Sequence, residues 1–213
     1  MATNERNGGK PHLPSASAVV EFHDAFDVGK DASPPEATPL WQAIADNHRW
    51  NAALWDEEDL ARRRNVPDAD IAANKRAIDG YNQKRNDAIE RIDEQLLAAL
   101  AAVARRPESR LSSETAGMMI DRLSILSLKI RAMRAQAERA DADEAHREAC
   151  RGKLARLVEQ REDLAGCLDR LLAEAAKGES HFKVYRQFKM YNDPRLNPAL
   201  YGERRASGDR PPD

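Results

Sequence analysis

The sequence predicts an all-α protein, an antiparallel bundle of about four long helices with a C-terminal aromatic strap. Of its 213 residues, 41% are hydrophobic, 33% are charged and only ten are glycine, a composition that favours helix throughout. Apolar residues recur three and four positions apart in four long stretches, which is the period of one helix face. The first two stretches are joined by so short a connection that their helices are expected to run antiparallel.

We expect one domain, because a chain of this length can bury a single core. The helical bundle should span residues 38–201. It should follow a mostly disordered N-terminal tail (1–37) with a short helix, and precede a disordered C-terminal tail (202–213). The tail prediction is based on polar residues with frequent Gly, Asn and Pro. The short helix is predicted because four residues share one face: Val19, Phe22, His23 and Phe26.

The first long helix should begin at Pro39, with Thr38 as its N-cap, and run to about Arg64. It holds all three tryptophans. A short turn follows, in which Asp68 is expected to cap the second long helix, from about Ala69 to Ala104.

The third long helix should be capped by Ser112 or Ser113, after the break at Pro107. It is apolar almost all round, so it is the candidate for the buried central helix. Residues 134–147 consist almost wholly of Ala, Arg, Asp and Glu, and they either continue this helix or bend. A fourth long helix should then reach about Lys177, with Gly178 as its C-cap.

The strap is predicted from residues 182–201, where aromatic residues recur at every third position among lysines and arginines. The rings are those of Phe182, Tyr185, Phe188 and Tyr191. Four large rings would expose much apolar area unless the segment packs on the bundle, which favours an ordered strap.

Charge and cysteine usage exclude several classes of protein. The net charge of −2 comes from 34 basic and 36 acidic residues that are well mixed, so no global field would attract nucleic acid or anionic lipid. Cys150 and Cys167 would lie roughly 25 Å apart on one helix, too far for a disulfide. The absence of a secretory signal and of a transmembrane segment, together with reduced thiols, predicts a cytoplasmic protein.

Polar residues interrupt the apolar faces of the first two long helices. The first face reads Trp41, Ile44, His48, Asn51, Trp55, Glu58 and Arg62. The second reads Ile71, Lys75, Ile78, Asn82, Arg85, Ile89, Ile92, Leu96, Ala99 and Val103. Buried polar groups cost free energy unless each has a partner, so these faces should meet each other or a ligand.

The polar breaks predict a ligand site between the first three long helices. Its candidate residues are His48, Asn51, Trp55, Glu58, Arg62, Asp79, Asn82, Arg85, Asn86, Asp121 and Arg122. Amides, carboxylates and guanidinium groups suit a sugar-type or anionic ligand. We expect Glu58 or Asp79 to pair with the charges at Asp121 and Arg122. The alternative is a buried polar network that only sets helix register.

No cofactor or metal is expected. The five histidines are scattered, and the motif nearest to a carboxylate–histidine metal unit is Asp143 with His146, in the most solvated segment. Gly-rich phosphate loops, nucleophile elbows and zinc-spaced cysteine pairs are absent from the sequence.

One stretch, from Asn86 to Leu100, resembles the first helix of helical chorismate mutases, which bind a dianion between long helices. The basic residue of that family would fall near Val103, and no lysine follows at the expected spacing.

Four blocks in order resemble a bacterial family of unknown function, the domain numbered forty-two fifty-four. The first comprises Asn51, Leu54, Trp55, Glu58, Asp59, Ala61 and Arg62. The second comprises Asn74, Lys75, Arg76, Ile78, Asp79, Asn82, Gln83, Arg85, Asn86, Asp87, Ile89, Glu90 and Asp93. The third comprises Glu114, Thr115, Gly117, Asp121, Arg122, Leu123, Ser124, Ile125, Leu128, Lys129 and Ile130. The fourth comprises Phe188, Lys189, Met190, Tyr191, Asn192, Asp193, Pro194, Leu196, Asn197, Pro198, Leu200 and Tyr201.

This resemblance implies an all-helical protein, often encoded near glycosyltransferases of cell-envelope glycan assembly. Three hypotheses follow. The first is a binding or accessory protein that holds a sugar-type or anionic ligand, or a glycosyltransferase. The second is an enzyme acting on a sugar phosphate or small dianion, with Glu58 or Asp79 as acid or base. The third is a structural homodimer whose polar residues set register.

Overall fold

The computed structural model describes residues 11–26, 33–190, 193 and 195–207, and it confirms the all-α class. The helices within these ranges are α1 (Ala16–Ala25), α2 (Pro39–Leu60), α3 (Asp68–Ala99), α4 (Ala116–Ala137), α5 (Glu144–Ala175) and α6 (Pro198–Ser207). Two-residue strands β1 (Arg110–Leu111) and β2 (Ser180–His181) form a small parallel pair. The antiparallel bundle arrangement and the domain limits stay predictions, and residues 1–10, 27–32 and 208–213 of the two predicted tails lie outside the described residues.

Helix α1 is the short helix expected near the N-terminus, and its apolar face lies in the core. Val19 and Phe22 are buried there, where α1 packs against α4 and α5. The Ser15 hydroxyl accepts a hydrogen bond from the Ala18 amide at the helix start. The Asp169 carboxylate of α5 accepts another from the Ala16 amide at 2.8 Å, which fixes this end of α1 to α5.

Helix α2 begins as predicted, because Thr38 is its N-cap and accepts from the Trp41 amide. The prediction that Asp68 caps the next helix is wrong. Pro67 takes the cap position without a side-chain hydrogen bond, and Asp68 lies in the first turn of α3. Its carboxylate there faces the positive end of the helix dipole.

Helix α3 ends at Ala99, before the predicted end at about Ala104, because the chain turns to run beside the end of α5. The Arg106 amide donates to the carbonyl of Gly178 at 3.0 Å. Gly178 has the positive φ of 72° expected of a helix-ending glycine, so the predicted C-cap is present. The Gly178 and Glu179 amides donate to the Ala175 and Glu174 carbonyls, which closes the last turn of α5.

Side-chain partners between α2 and α3 follow opposite order along the two helices. Near the start of α2, Asp46 pairs with Arg91 of α3 at 3.2 Å. Further along, Trp50 stacks on Tyr81, with ring centroids 5.7 Å apart. Near the end of α2, Glu57 accepts from the Asn74 amide at 2.7 Å. These contacts pack α2 along α3 through residues that flank the two polar faces predicted from the sequence.

Helix α4 contacts α1, α2, α3 and α5, as expected of the central helix. Its cap is Thr115 and not Ser112 or Ser113, so that prediction is wrong. The reason is that the backbone here still pairs with β2, since the Ser112 amide donates to the His181 carbonyl at 2.8 Å. The chain is therefore free to start a helix only a few residues later.

The open question of residues 134–147 is resolved by a bend. Helix α4 ends at Ala137, and α5 begins at Glu144 with Asp143 as its N-cap, whose carboxylate accepts from the His146 amide at 2.7 Å. Both cysteines lie on α5 as predicted, and both are free thiols. No helix in the described ranges combines the length and the apolar character that crossing a bilayer requires.

The strap is only partly packed, which differs from the expectation that its rings would be covered. Phe182 is buried, but Tyr185 is 40% exposed and Phe188 is 84% exposed; Tyr191 lies outside the described residues. Ionic contacts hold the segment instead, because Arg186 pairs with Glu90 and Glu94 of α3. The strap therefore crosses α3 mainly through charge.

Substituting Gly117, at the start of α4, should destabilise the protein. A Cβ here would lie 2.6 Å from the Ile89 carbonyl oxygen and 2.8 Å from the Asp93 carboxylate. We expect Gly117→Ala to lower the free energy of unfolding by about 1–3 kcal/mol in urea denaturation, because the α3 backbone must move. Gly166→Ala in α5 is the matched control, since its Cβ would meet open space and its helix propensity rises. Equal effects of the two substitutions would refute the close packing of α3 on α4.

Candidate functional site

A single buried carboxylate joins the three long helices α2, α3 and α4. Asp121 of α4 is 3% exposed, and its Oδ1 accepts from Asn47 Nδ2 and Asn51 Nδ2 of α2, both at 2.9 Å. Arg85 of α3 binds it with two nitrogens, Nε to Oδ1 at 2.8 Å and Nη2 to Oδ2. This bidentate hydrogen bond raises the pKa of Arg85 against the opposing effect of burial.

A chain of hydrogen bonds continues from this carboxylate towards α1. The Asn51 amide also donates to Ser124 Oγ at 3.0 Å, and Ser124 Oγ lies 2.8 Å from His48 Nδ1. Together, Asn47, His48, Asn51, Arg85, Asp121 and Ser124 form what we call the polar centre. Its members come from positions where the helix faces point inward, so the polar breaks in the sequence mark a real network.

The polar centre ends at two stacked imidazoles. His48 lies against His23 of α1, with ring centroids 4.6 Å apart and an interplanar angle of 13°. Burial lowers the pKa of His48 to about 4, with a further contribution from Arg131. Burial likewise lowers the pKa of His23 well below its ordinary value, and His48 and Arg161 lower it further. Both rings are therefore neutral at pH 7.

An open cleft of about 320 Å³ lies beside the polar centre. Its lining residues are Asn51, Leu54, Trp55, Glu58, Asp59, Arg62, Asn82, Arg85, Ile125 and Leu128. We refer to this space as the cleft. Six of the eleven predicted site residues line it, namely Asn51, Trp55, Glu58, Arg62, Asn82 and Arg85.

Two further predicted residues, His48 and Asp121, belong to the polar centre and not to the cleft wall. The remaining three do not line the cleft. Asp79 pairs with Lys75 of its own helix, Asn86 is half-buried, and Arg122 is exposed and pairs with Glu114. Arg122 lines a different groove, between α4 and α5.

The expected partners of Asp121 and Arg122 were wrong. Neither Glu58 nor Asp79 pairs with them, because each of these acids has a cation one turn away on its own helix. Glu58 pairs with Arg62 at 2.7 Å, and Asp79 pairs with Lys75. The partner of Asp121 is Arg85. Two other acids of α3 also bind elsewhere, since Glu90 binds the strap and Asp93 binds the start of α4.

Several important residues were missed by the sequence interpretation. Asn47 and Ser124 are wholly buried, and Asn47 is four positions before Asn51, the spacing of one helix face. Ser124 lies three positions after Asp121 in an otherwise apolar run, and this spacing could have identified it. Asp59 and the apolar residues of the cleft carried no distinguishing pattern.

Asp93 forms a second buried polar junction between α3 and α4. Its carboxylate is 2% exposed and accepts from the Gly117 amide at 2.7 Å, in the first turn of α4. Burial raises the pKa of Asp93 to about 6, although its hydrogen bonds with Thr115 and Gly117 oppose the rise. This group titrates between the ordinary ranges of carboxyl and imidazole groups.

The strap approaches the Arg85 end of the site. Partial burial lowers the pKa of Lys189, and the nearby charge of Arg85 adds to this effect while Asp79 and Asp87 oppose it. The strap thus brings the charge of Lys189 towards Arg85, which is already paired with Asp121. Among the described residues, no three His, Cys, Asp or Glu side chains are grouped as a metal site.

Comparison with known proteins identifies a family but no characterised relative. A family model described as "Protein of unknown function (DUF4254)" matches residues 41–184, which confirms the resemblance found in the sequence. No curated protein and no solved structure matches the chain. The matched range contains the whole polar centre and the whole cleft, but neither α1 nor most of the strap.

Asp93 and the two buried histidines should affect the pH dependence of stability in opposite directions. Since the pKa of folded His48 is about 4 against an ordinary 6.5, its stabilising contribution is complete above pH 6.5 and is lost as pH falls towards 4. Since the pKa of folded Asp93 is about 6 against an ordinary 3.8, its contribution is complete below pH 3.8 and is lost as pH rises through 6.

Asp93→Asn should therefore become more stable relative to wild type as pH rises from 4 to 7.5, by at most about 3 kcal/mol. Urea denaturation at several pH values measures this difference. Asp56→Asn, on the exposed face of α2, controls for loss of a negative charge. A difference between Asp93→Asn and wild type that does not change with pH would contradict the buried, protonated state of Asp93.

Proposed function

This chain belongs to the DUF4254 family, and we propose that it is a binding protein for an uncharged, sugar-type ligand held in the cleft. The observation that carries the proposal is the composition of the cleft wall, which combines an aromatic face, carboxylates and an amide that has no hydrogen-bond partner among the described residues. Sites for small polar molecules are mostly apolar and carry a few well-placed polar groups. The polar centre behind the wall would hold these groups in position.

Trp55 supplies the aromatic face. Trp41 packs edge-on against Phe22, and Trp50 stacks on Tyr81, so each of these rings has an aromatic partner. Trp55 is half-buried and has no aromatic ring partner among the described residues. Its face is available to cover the apolar side of a sugar ring, next to Leu54 and Ile125.

Asn82 and Asp59 supply hydrogen-bonding groups on the same wall. The Asn82 amide forms no hydrogen bond with another described residue, and it offers both a donor and an acceptor. Asp59 is exposed and offers carboxylate oxygens to hydroxyl donors. Hydroxyl groups need donors and acceptors together, and a wall of this kind provides both.

The charge of the wall favours an uncharged ligand over an anion. Both arginines of the cleft are already paired, Arg85 with Asp121 and Arg62 with Glu58. Asp59 adds a further negative charge. An anionic ligand would have to compete for these guanidinium groups, at a cost in lost charge-assisted hydrogen bonds.

An enzyme acting on a sugar phosphate or small dianion is the alternative, with Glu58 as the acid or base. The Glu58 carboxylate lies at the cleft and accepts from Arg62 at 2.7 Å, within reach of a bound ligand's hydroxyl groups. Turnover that disappears in Glu58→Gln while ligand binding survives would favour the enzyme. A helical homodimer that binds no small molecule is the structural alternative.

The wider role that we propose is a cytoplasmic accessory function in cell-envelope glycan synthesis, with a glycosyltransferase as protein partner. This part is supported only by the family resemblance and by the sugar-like chemistry of the cleft. A labelled glycosyltransferase from the same cell should bind wild-type protein, and binding should persist or strengthen when the cleft is filled.

The direct test is a titration of the protein with neutral sugars and with nucleotide sugars. Binding is monitored by tryptophan fluorescence and by calorimetry. We expect the fluorescence of Trp55 to change on binding, and Trp55→Leu to weaken binding about tenfold because the ring face is lost. Asn82→Ala should weaken it by a similar factor. Trp50→Leu is the matched control, because that ring stacks on Tyr81 outside the cleft.

Binding of a neutral sugar that Trp55→Leu weakens and Trp50→Leu does not would support the proposal. If no sugar binds, or if both tryptophan variants behave alike, the cleft is not a sugar site. If only phosphorylated sugars bind, the inference from charge is wrong and the enzyme alternative should be assayed next.

A further inference from the structure

A second and smaller cavity lies between α1, α2 and α4. Its volume is about 100 Å³, which would hold roughly three water molecules or one small tetrahedral ion. It is lined by His23, Asp24, Phe26, His48, Ser127, Leu128, Ile130, Arg131 and Arg134. We call this space the chamber, and none of its lining residues lines the cleft except Leu128.

The polar centre leaves a buried imidazole nitrogen without a partner at the chamber. Ser124 Oγ accepts from the Asn51 amide, and the only other partner of this hydroxyl is His48 Nδ1 among the described side-chain contacts. In the arrangement that we propose, the hydroxyl hydrogen is donated to Nδ1, which places the imidazole proton on Nε2. His48 Nε2 is buried and has no hydrogen-bond partner.

His23 adds a second buried ring without partners. It is 2% exposed, and neither Nδ1 nor Nε2 forms a hydrogen bond. A neutral imidazole carries one N–H donor, so the two stacked rings offer two donors to the chamber. Each unsatisfied buried donor costs free energy, which an occupant with acceptor oxygens would recover.

Two arginines at the chamber give it positive charge. Arg131 and Arg134 are exposed and line its outer side from α4, and neither forms an ion pair with another described residue. A third cation, Arg161 of α5, is neutralised by Asp24 at 2.7 Å. Because Asp24 is paired with Arg161, Arg131 and Arg134 are the two lining cations without a carboxylate partner among the described residues.

We propose that the chamber binds a phosphate-type oxyanion, with Arg131 and Arg134 as its charged ligands and the His23 and His48 N–H groups as further donors. The oxygens of a tetrahedral anion can accept from all four side chains, and guanidinium groups suit phosphate geometry. The shared chemistry is a phosphoryl group, which either free phosphate or a phosphomonoester could provide. Water alone would satisfy the imidazoles, but only an anion would in addition complement the charge of the two guanidinium groups.

This inference does not depend on the sugar site. Both arginines that line the cleft are paired, whereas the two that line the chamber form no ion pair with a described residue, so the two sites should select different ligands. The hydrogen-bond chain from Asn51 through Ser124 to His48 lies between them. Variants of the cleft wall, such as Trp55→Leu, should therefore leave phosphate binding unchanged.

The test is calorimetric titration of the full chain with inorganic phosphate and with glycerol phosphate, at constant ionic strength set by chloride. We expect saturable 1:1 binding, and the double variant Arg131→Gln with Arg134→Gln should weaken it at least tenfold. The matched control is Arg122→Gln with Lys129→Gln, which removes the same charge from α4 at a different groove. Binding of glycerol phosphate as tight as that of phosphate would show that the chamber admits a substituted phosphoryl group.

A second measurement uses only the wild-type protein, so its result does not depend on whether the variants fold. Imidazole nitrogen NMR of wild type should show His48 as the Nε2–H tautomer, and phosphate should shift its Nε2–H resonance. Absence of saturable phosphate binding, or equal weakening in the test and control double variants, would overturn the proposal. A phosphate complex that leaves the His23 and His48 resonances unchanged would overturn it too.

Discussion

The carboxylate of Asp121 is the group on which the rest of the structure depends. It lies on the central helix α4 and is bound by amides from α2 and a guanidinium from α3. A buried ion pair of this kind adds little to the stability of the folded protein compared with apolar residues in the same place. Removing one of its partners, however, lowers the free energy of unfolding by about 3–5 kcal/mol. The network therefore selects one register among three helices, since a shift of any helix by one residue would leave the charge unpaired.

The same network determines the character of both cavities. On the α3 side, it uses the charge of Arg85, so the adjoining cleft presents an aromatic face, an amide and carboxylates without a spare cation. Towards α1, the Asn51 amide donates to Ser124, which hydrogen-bonds with His48 Nδ1, and His48 Nε2 is left without a partner at the chamber. One hydrogen-bond chain thus produces two sites of different chemistry.

The sequence was sufficient for the helices and for much of the polar centre, because both depend on local spacing. His48, Asn51 and Arg85 stand where apolar residues were expected, and such positions face inward. Asp121 was noticed for the same reason, but its partner was not, because pairing between helices depends on how far each side chain reaches. Glu58 and Asp79 were misassigned since cations on their own helices bind them first. The chamber was unpredictable for a related reason, because its formation depends on how α1 docks on the long helices and stacks His23 on His48.

A double-mutant cycle between Arg85 and Asp121 tests the central claim most directly. The free energy of unfolding would be measured for Arg85→Met, Asp121→Asn and the pair of substitutions together, all near neutral pH. We expect each single variant to lose about 3–5 kcal/mol and the double variant to lose clearly less than the sum, with a coupling of at least 2 kcal/mol. Additivity within about 0.5 kcal/mol would contradict the account, because it would mean that these two charges do not hold the helices together.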